Sequence, residues 1–180
     1  MIRAAKLDES LYEEVEIDPT ATTQALIVVV IASVCSGVGS GLEALIFGPL
    51  SLQLKLLGFV TNLVVSSLLS LLGWGIWSFI TYFIGTHVLD GTATYEELLR
   101  CIGFSDAPSA LSILSFIPML GGLILLVAWV WSLIAMVVAV RQALDFSTGK
   151  AIATCIVGWV AIVIILVVIG VLIALPFLLL

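Results

Sequence analysis

The chain has 180 residues, of which 62% are hydrophobic and only 10% are charged, and its mean hydropathy is +1.33. A soluble domain normally has about a quarter of its residues charged to cover its surface, so a soluble globule is excluded. The formal net charge of −6 also excludes a nucleic-acid partner, because nucleic-acid binders cluster Lys and Arg. The composition predicts an integral membrane protein.

The apolar segments are predicted to be helices. Their runs of Leu, Ile, Val and Ala lack the strict polar and apolar alternation of a membrane β-barrel. Because the bilayer core offers the backbone no hydrogen-bond partners, such runs cross it as helices. We therefore expect an all-α fold, a polytopic membrane helix bundle of about five transmembrane helices with a short amphipathic N-terminal helix.

Residues 1–23 form an acidic head that differs in composition from the rest of the chain. Six carboxylates there are offset only by Arg3 and Lys6: Asp8, Glu9, Glu13, Glu14, Glu16 and Asp18. Apolar residues recur at helical spacing over 7–17, which predicts an amphipathic helix that ends before Pro19. The head lacks the basic start and short apolar core of a signal peptide, so we do not expect it to be one.

Residues 24–180 are expected to form the membrane bundle. Roughly 20 apolar residues are needed to cross a hydrocarbon core of ~30 Å. On that basis the spans are predicted at about 25–47, 63–88, 107–117, 123–140 and 152–175. The apolar part of the third span is too short to cross the membrane alone, so this span is expected to include some of residues 98–106.

The basic residues distinguish five spans from four. Five spans with a cytoplasmic N-terminus put five of the six basic residues inside and only Lys55 outside. Four spans would put Arg141 and Lys150 outside, with three basic residues on each side. Because cytoplasmic loops are enriched in Lys and Arg, the distribution favours five spans.

Two connections between spans carry polar residues that predict their structure. Residues 50–62 are too polar for the middle of a membrane and too apolar for an open loop, so an interfacial segment is predicted. Residues 90–106 are predicted to form a short surface helix, because Thr94 followed by Glu97 is a capping-box pattern.

Small residues in the first span predict a close helix contact. Ser33, Gly37 and Gly41 recur every four residues, and small side chains at that spacing let another helix approach. The contact can lie within the chain or between protomers. The alternative is that glycine is simply common in membrane helices.

The sequence shows no grouping of residues typical of an active site. Catalysis needs a nucleophile with its base, paired carboxylates or a set of metal ligands held within reach of one another. The single His87 has no partner at ligand spacing, so we expect no enzyme, no metal and no cofactor. Glu43, near the outer end of the first span, is the only ionisable residue expected inside the membrane.

Seven charged residues on the expected cytoplasmic side are candidates for partner binding or for closing loops. They are Glu16, Asp18, Arg100, Asp106, Arg141, Asp145 and Lys150. Arg141 and Asp145 are four residues apart and can pair across a helix end. Opposite charges on this side can also dock the acidic head onto the bundle or present it to a basic partner.

Four sequence blocks carry a family resemblance. They are E-x-D-P-x-A-T-x-Q-A over 16–25, Y-E-E-L-L-R-C-I-G-F-S-D-A-P over 95–108, I-P-M-L-G-G over 117–122 and R-Q-A-L-D-F-S-T-G-K-A-I over 141–152. Together they resemble the Ypt-interacting-protein (Yip) membrane domain family in its prokaryotic form. The resemblance implies about five membrane helices with a cytoplasmic N-terminus. Eukaryotic members are associated with prenylated Rab-type GTPases, but the D-L-Y-G-P-type motif that marks them is absent here.

These observations predict a non-enzymatic scaffold or accessory subunit of a membrane assembly in a prokaryotic cell membrane. Its expected partners are membrane lipids and other membrane proteins, in a homo- or hetero-oligomer. The alternative is a small oligomeric channel or transporter, which would need several buried polar side chains converging between spans.

Overall fold

The structure is a computed structural model that describes residues 1–178, and these residues are almost entirely helical. In chain order the elements are α1 (Ile2–Ala5), α2 (Glu9–Ile17), α3 (Ala21–Phe47), α4 (Leu52–His87), α5 (Tyr95–Ser105), a 3-10 helix (Ala107–Phe116), α6 (Gly121–Ala143) and α7 (Thr148–Leu178). The predicted all-α class and helix bundle are confirmed.

Four helices, α3, α4, α6 and α7, are long and apolar enough to cross a bilayer. The fifth predicted crossing corresponds to the 3-10 helix, so the count of about five holds. A β-carbon on Gly103 would touch Ala25 near the start of α3, and one on Gly39 would meet the backbone of Ser112. The segment from α5 through the 3-10 helix therefore follows α3 along its length.

Most of the interfacial segment predicted over 50–62 belongs to the same helix as the second span, because α4 begins at Leu52 and continues without a break to His87. Two of its polar side chains form hydrogen bonds to α3. The Lys55 ammonium donates to the carbonyl oxygen of Leu45 at 2.8 Å, and the Asn62 amide donates to the Ser40 hydroxyl at 2.9 Å. These bonds satisfy polar groups that would otherwise have to face water.

The five tryptophans of the chain lie on three helices, α4, α6 and α7. Trp74 and Trp77 line one cavity, and Trp77, Trp129 and Trp159 line the neighbouring one. The Trp131 indole donates to the carbonyl oxygen of Ala5 at 2.7 Å, which brings the head against α6. The head therefore reaches the part of the bundle that carries the tryptophans.

The acidic head packs into the same hydrophobic core as the bundle. Ala4, Leu11, Tyr12 and Val15 are buried in one cluster with residues of α3, α5, α6 and the loop after α6. A free tail would leave these side chains in water. The head is therefore an integral layer of the fold on the side where the tryptophans lie.

Candidate functional site at the head-facing end of the bundle

Helix α5 is the platform on which the head rests, and its start is fixed by a local signal. The Thr94 hydroxyl accepts from the backbone N–H of Glu97, and the Glu97 carboxylate accepts from the backbone N–H of Thr94 at 2.8 Å. The predicted capping box is therefore confirmed. It sets the helical register that turns Arg100 and Cys101 toward α2.

Arg100 joins α5 to the end of α2. Its Nε donates to the carbonyl oxygen of Val15 at 2.8 Å, and its Nη2 donates to the carbonyl oxygen of Glu16. The residue is only 7% exposed. Helix α2 ends at Ile17 with carbonyls that have no partner inside the helix, and a cation at that end also complements the helix dipole. Arg100 therefore holds the C-terminal end of α2.

The apolar face of α2 completes the contact with α5. Tyr12 is fully buried, and the Cys101 thiol lies 3.6 Å from its carbonyl oxygen as a weak donor. Burial raises the pKa of both the Cys101 thiol and the Tyr12 phenol. Both groups are thus held in their neutral forms at this interface. The Tyr12 hydroxyl has no hydrogen-bond partner within residues 1–178.

Two polar contacts fasten the outer edge of α2 to α6. Arg141 forms an ion pair with Glu9, and the Gln142 amide donates to the Glu13 carboxylate at 3.2 Å. The predicted pairing of Arg141 with Asp145 is wrong. Asp145 has a left-handed backbone (φ 54°) in the turn after α6, and its carboxylate accepts from Thr92 at 3.5 Å instead.

A third cluster makes the head rigid within itself. Arg3 pairs with Asp8 and with Glu14, each at 2.8 Å. Hydrogen bonds from Ser10 and from Arg3 lower the pKa of Asp8 to about 2. These groups lie on the solvent side, where water and salt screen ion pairs and leave them little effect on stability. They order the acidic surface more than they stabilise the fold.

The remaining predicted residues on this side close local turns. The Asp18 carboxylate accepts two hydrogen bonds from Thr20, one from its backbone N–H at 2.9 Å and one from its hydroxyl. These bonds shape the turn into α3. Glu16 contributes its backbone carbonyl, and burial raises the pKa of its carboxyl. Lys150 donates to the carbonyl oxygen of Leu89 at 3.1 Å. The structure thus brings Glu16 to Arg100, but Lys150 lies at a separate loop contact.

The small residues of α3 pack within the chain. A β-carbon on Gly37 would lie 3.0 Å from the Leu63 side chain, and one on Gly41 would overlap the ring of Phe59. The Ser33 hydroxyl lies 3.4 Å from that of Ser67. Ser33, Gly37 and Gly41 therefore form the contact surface between α3 and α4.

Asp106 lies apart from the head contacts. It follows α5 and accepts a hydrogen bond from the Ser109 hydroxyl at 2.7 Å, and it lines a cavity between four helices. The sequence analysis placed it at the end of a short surface helix, as a candidate for partner binding or loop closing. Its flanking S-D-A-P segment gave no sign that the carboxylate would face inward, because that depends on packing against α3, α4 and α6.

Fold and site together define a multi-pass integral membrane protein with a docked N-terminal helix. The family model described as "Yip1 domain" matches residues 9–174. The chain therefore belongs to the Yip1 domain family, as the sequence blocks predicted. The match begins at Glu9, the first residue of α2, so it includes the docked helix. No curated protein and no solved structure matches the chain.

Proposed function

We propose that this protein is a non-enzymatic scaffold or accessory subunit of a membrane assembly. In this proposal its docked acidic head binds a basic segment of another membrane protein on the cytoplasmic side of a prokaryotic membrane. The distribution of basic residues supports that orientation, since Lys55 lies at the end of the bundle away from the head.

The observation that carries the proposal is the buried contact between Arg100 and the end of α2. It fixes a short acidic helix in one orientation, with the carboxylates of Glu13 and Glu14 exposed. A surface that is already ordered loses less conformational entropy when a partner binds. Exposed charges on such a surface contribute to specificity and to the rate of association.

The test is a charge reversal that leaves the docking contacts of Arg100 intact. Glu13→Lys should remove a basic partner that copurifies with the protein from native membranes, and raised salt should release that partner from the parent protein. Glu43→Lys, an exposed carboxylate at the other end of α3, is the matched control and should retain the partner. Retention of every partner by Glu13→Lys would overturn the proposal.

A small oligomeric channel or transporter is the second candidate. It is favoured by hydroxyl and amide side chains between α3 and α4, where Ser33 meets Ser67 and Asn62 meets Ser40. Against it, Ser33 and Ser40 also donate to carbonyl oxygens of their own helix, as isolated hydroxyls do in membranes. Solute flux into liposomes that contain the pure protein, lost in Asn62→Leu, would favour the transporter over the scaffold.

A further inference from the structure

A cavity of about 190 Å³ with several polar groups in its lining lies between α3, α4, α5 and α6, beside Trp74 and Trp77. Its polar lining consists of Asp106, Ser70, Ser105, Ser132, Trp74 and Trp77. The Ser109 hydroxyl donates to Oδ1 of Asp106, and within residues 1–178 the carboxylate makes no other hydrogen bond or ion pair. A carboxylate enclosed by helices is costly unless a cation or a hydrogen-bond donor approaches it.

A second cavity of about 330 Å³, which is apolar, adjoins the one beside Asp106. It lies where α6 meets α7, with Leu133 and Val137 on one side and Cys155 and Trp159 on the other. The two cavities share the side chains of Trp77 and Met136. A pocket with one anionic end and one apolar end matches an amphiphile rather than a small soluble ion.

Trp77 supplies a second unsatisfied group at the junction of the cavities. Its Nε1 is buried and has no hydrogen-bond acceptor among the residues that the structure describes. The indole N–H is a donor only, so a ligand that forms a hydrogen bond with it must offer an acceptor such as a phosphate oxygen. A ligand that fits the site thus needs a cationic donor beside Asp106 and a hydrogen-bond acceptor beside Trp77.

The geometry points to a binding site for a phospholipid with a primary ammonium headgroup. The ammonium donates to the Asp106 carboxylate, a phosphate oxygen accepts from Trp77, and an acyl chain lies in the apolar cavity. Trp74 and Trp77 line the site, and tryptophan is enriched at the depth of headgroups. A quaternary ammonium has no N–H to donate to Asp106, and an anionic headgroup would be repelled by the carboxylate.

Native mass spectrometry of the full chain in detergent tests the site. The probes are phosphatidylethanolamine, phosphatidylcholine and phosphatidylglycerol with identical acyl chains. The parent protein should retain phosphatidylethanolamine in preference to the other two. Asp106→Asn keeps the acceptor for Ser109 but removes the charge, and it should weaken that retention at least ~10-fold, as expected for loss of a charge-assisted hydrogen bond. Glu43→Gln is the matched control and should bind as the parent does.

Further measurements keep the test independent of folding. Trp77→Phe preserves the aromatic ring but removes the N–H, and it should also weaken retention of phosphatidylethanolamine. Unchanged circular dichroism of both variants shows that the bundle is intact. Equal retention of phosphatidylcholine, or no effect of Asp106→Asn, would overturn the site. If water-soluble O-phosphoethanolamine binds as tightly as the lipid, the ligand is not a lipid and the assignment fails.

Discussion

The guanidinium of Arg100 donates to the carbonyl oxygen of Val15 across 85 residues of sequence, at 2.8 Å and out of contact with most of the solvent. The end of α2 is therefore held by hydrogen bonds to its backbone, and the side chains of Glu13 and Glu14 remain exposed on the outer surface. Direct ion pairing between the head and the bundle plays a smaller part, since within residues 1–178 it is limited to Glu9 and Arg141 at the edge of α2.

Replacement of Arg100 by methionine should release the head. The variant leaves two carbonyl oxygens at the end of α2 without their donor, and bonds to a charged group contribute about 1.5–3 kcal/mol each. We expect faster backbone hydrogen exchange over residues 9–17 and little change in α6. Arg141→Met is the control, because its pair with Glu9 is partly exposed and adds only ~0–1 kcal/mol. Equal exchange in the two variants would contradict the assigned role of Arg100.

The small-residue face of α3 should be intolerant of larger side chains. Gly37→Leu and Gly41→Leu force side chains into the space occupied by Leu63 and Phe59, and overpacking of this kind costs about 1–3 kcal/mol per site. We expect a lower melting temperature in detergent without a change in particle size, since the contact lies within one chain. Gly58→Leu on α4 has open space around its β-carbon and is the matched control. An unchanged melting temperature of the α3 variants would mean that this packing is wrong.

The orientation of the connections is open to chemical labelling. In a cysteine-free background, single cysteines at Asp145 and Ser51, both exposed positions, should react with an impermeant reagent from opposite sides of the membrane. The physical reason is that α3, α4 and α6 run between the head-facing end and the far end of the bundle. Labelling of both positions from the same side would contradict the five-span topology.

Alkaline pH should weaken the contact between α2 and α5 through Cys101. Burial raises the pKa of this thiol above its ordinary value of 9.0, so its neutral form is the one that packs against Tyr12. The resulting stability is fully present below pH 9.0 and is lost as the pH rises above it, by up to about 1.4 kcal/mol per pH unit. The melting temperature should fall less steeply between pH 8 and 10 in Cys101→Ser than in the parent. Cys35 lies outside this contact, so the melting temperature of Cys35→Ser should depend on pH as that of the parent does.

The parts of the fold that were predictable from sequence are those fixed by neighbouring residues or by overall hydrophobicity. The capping box of Thr94 and Glu97 lies within one helical turn, and the long apolar runs are more hydrophobic than helices of soluble proteins. The start of α4 was not predictable, because Lys55 and Asn62 appear too polar until their acceptors on α3 are known. The same holds for Arg100, whose partners lie on another helix.

The docked head also sets an order of events during synthesis. Helix α2 leaves the ribosome before the surface that receives it, because that surface consists of α5 and the end of α6, which follow α2 in the chain. Until then the surface that buries Tyr12 and Val15 does not exist, and the nascent head stays undocked. Docking of residues 9–17 is therefore a late step that follows insertion of α6, and a protected head marks a chain whose bundle has already assembled.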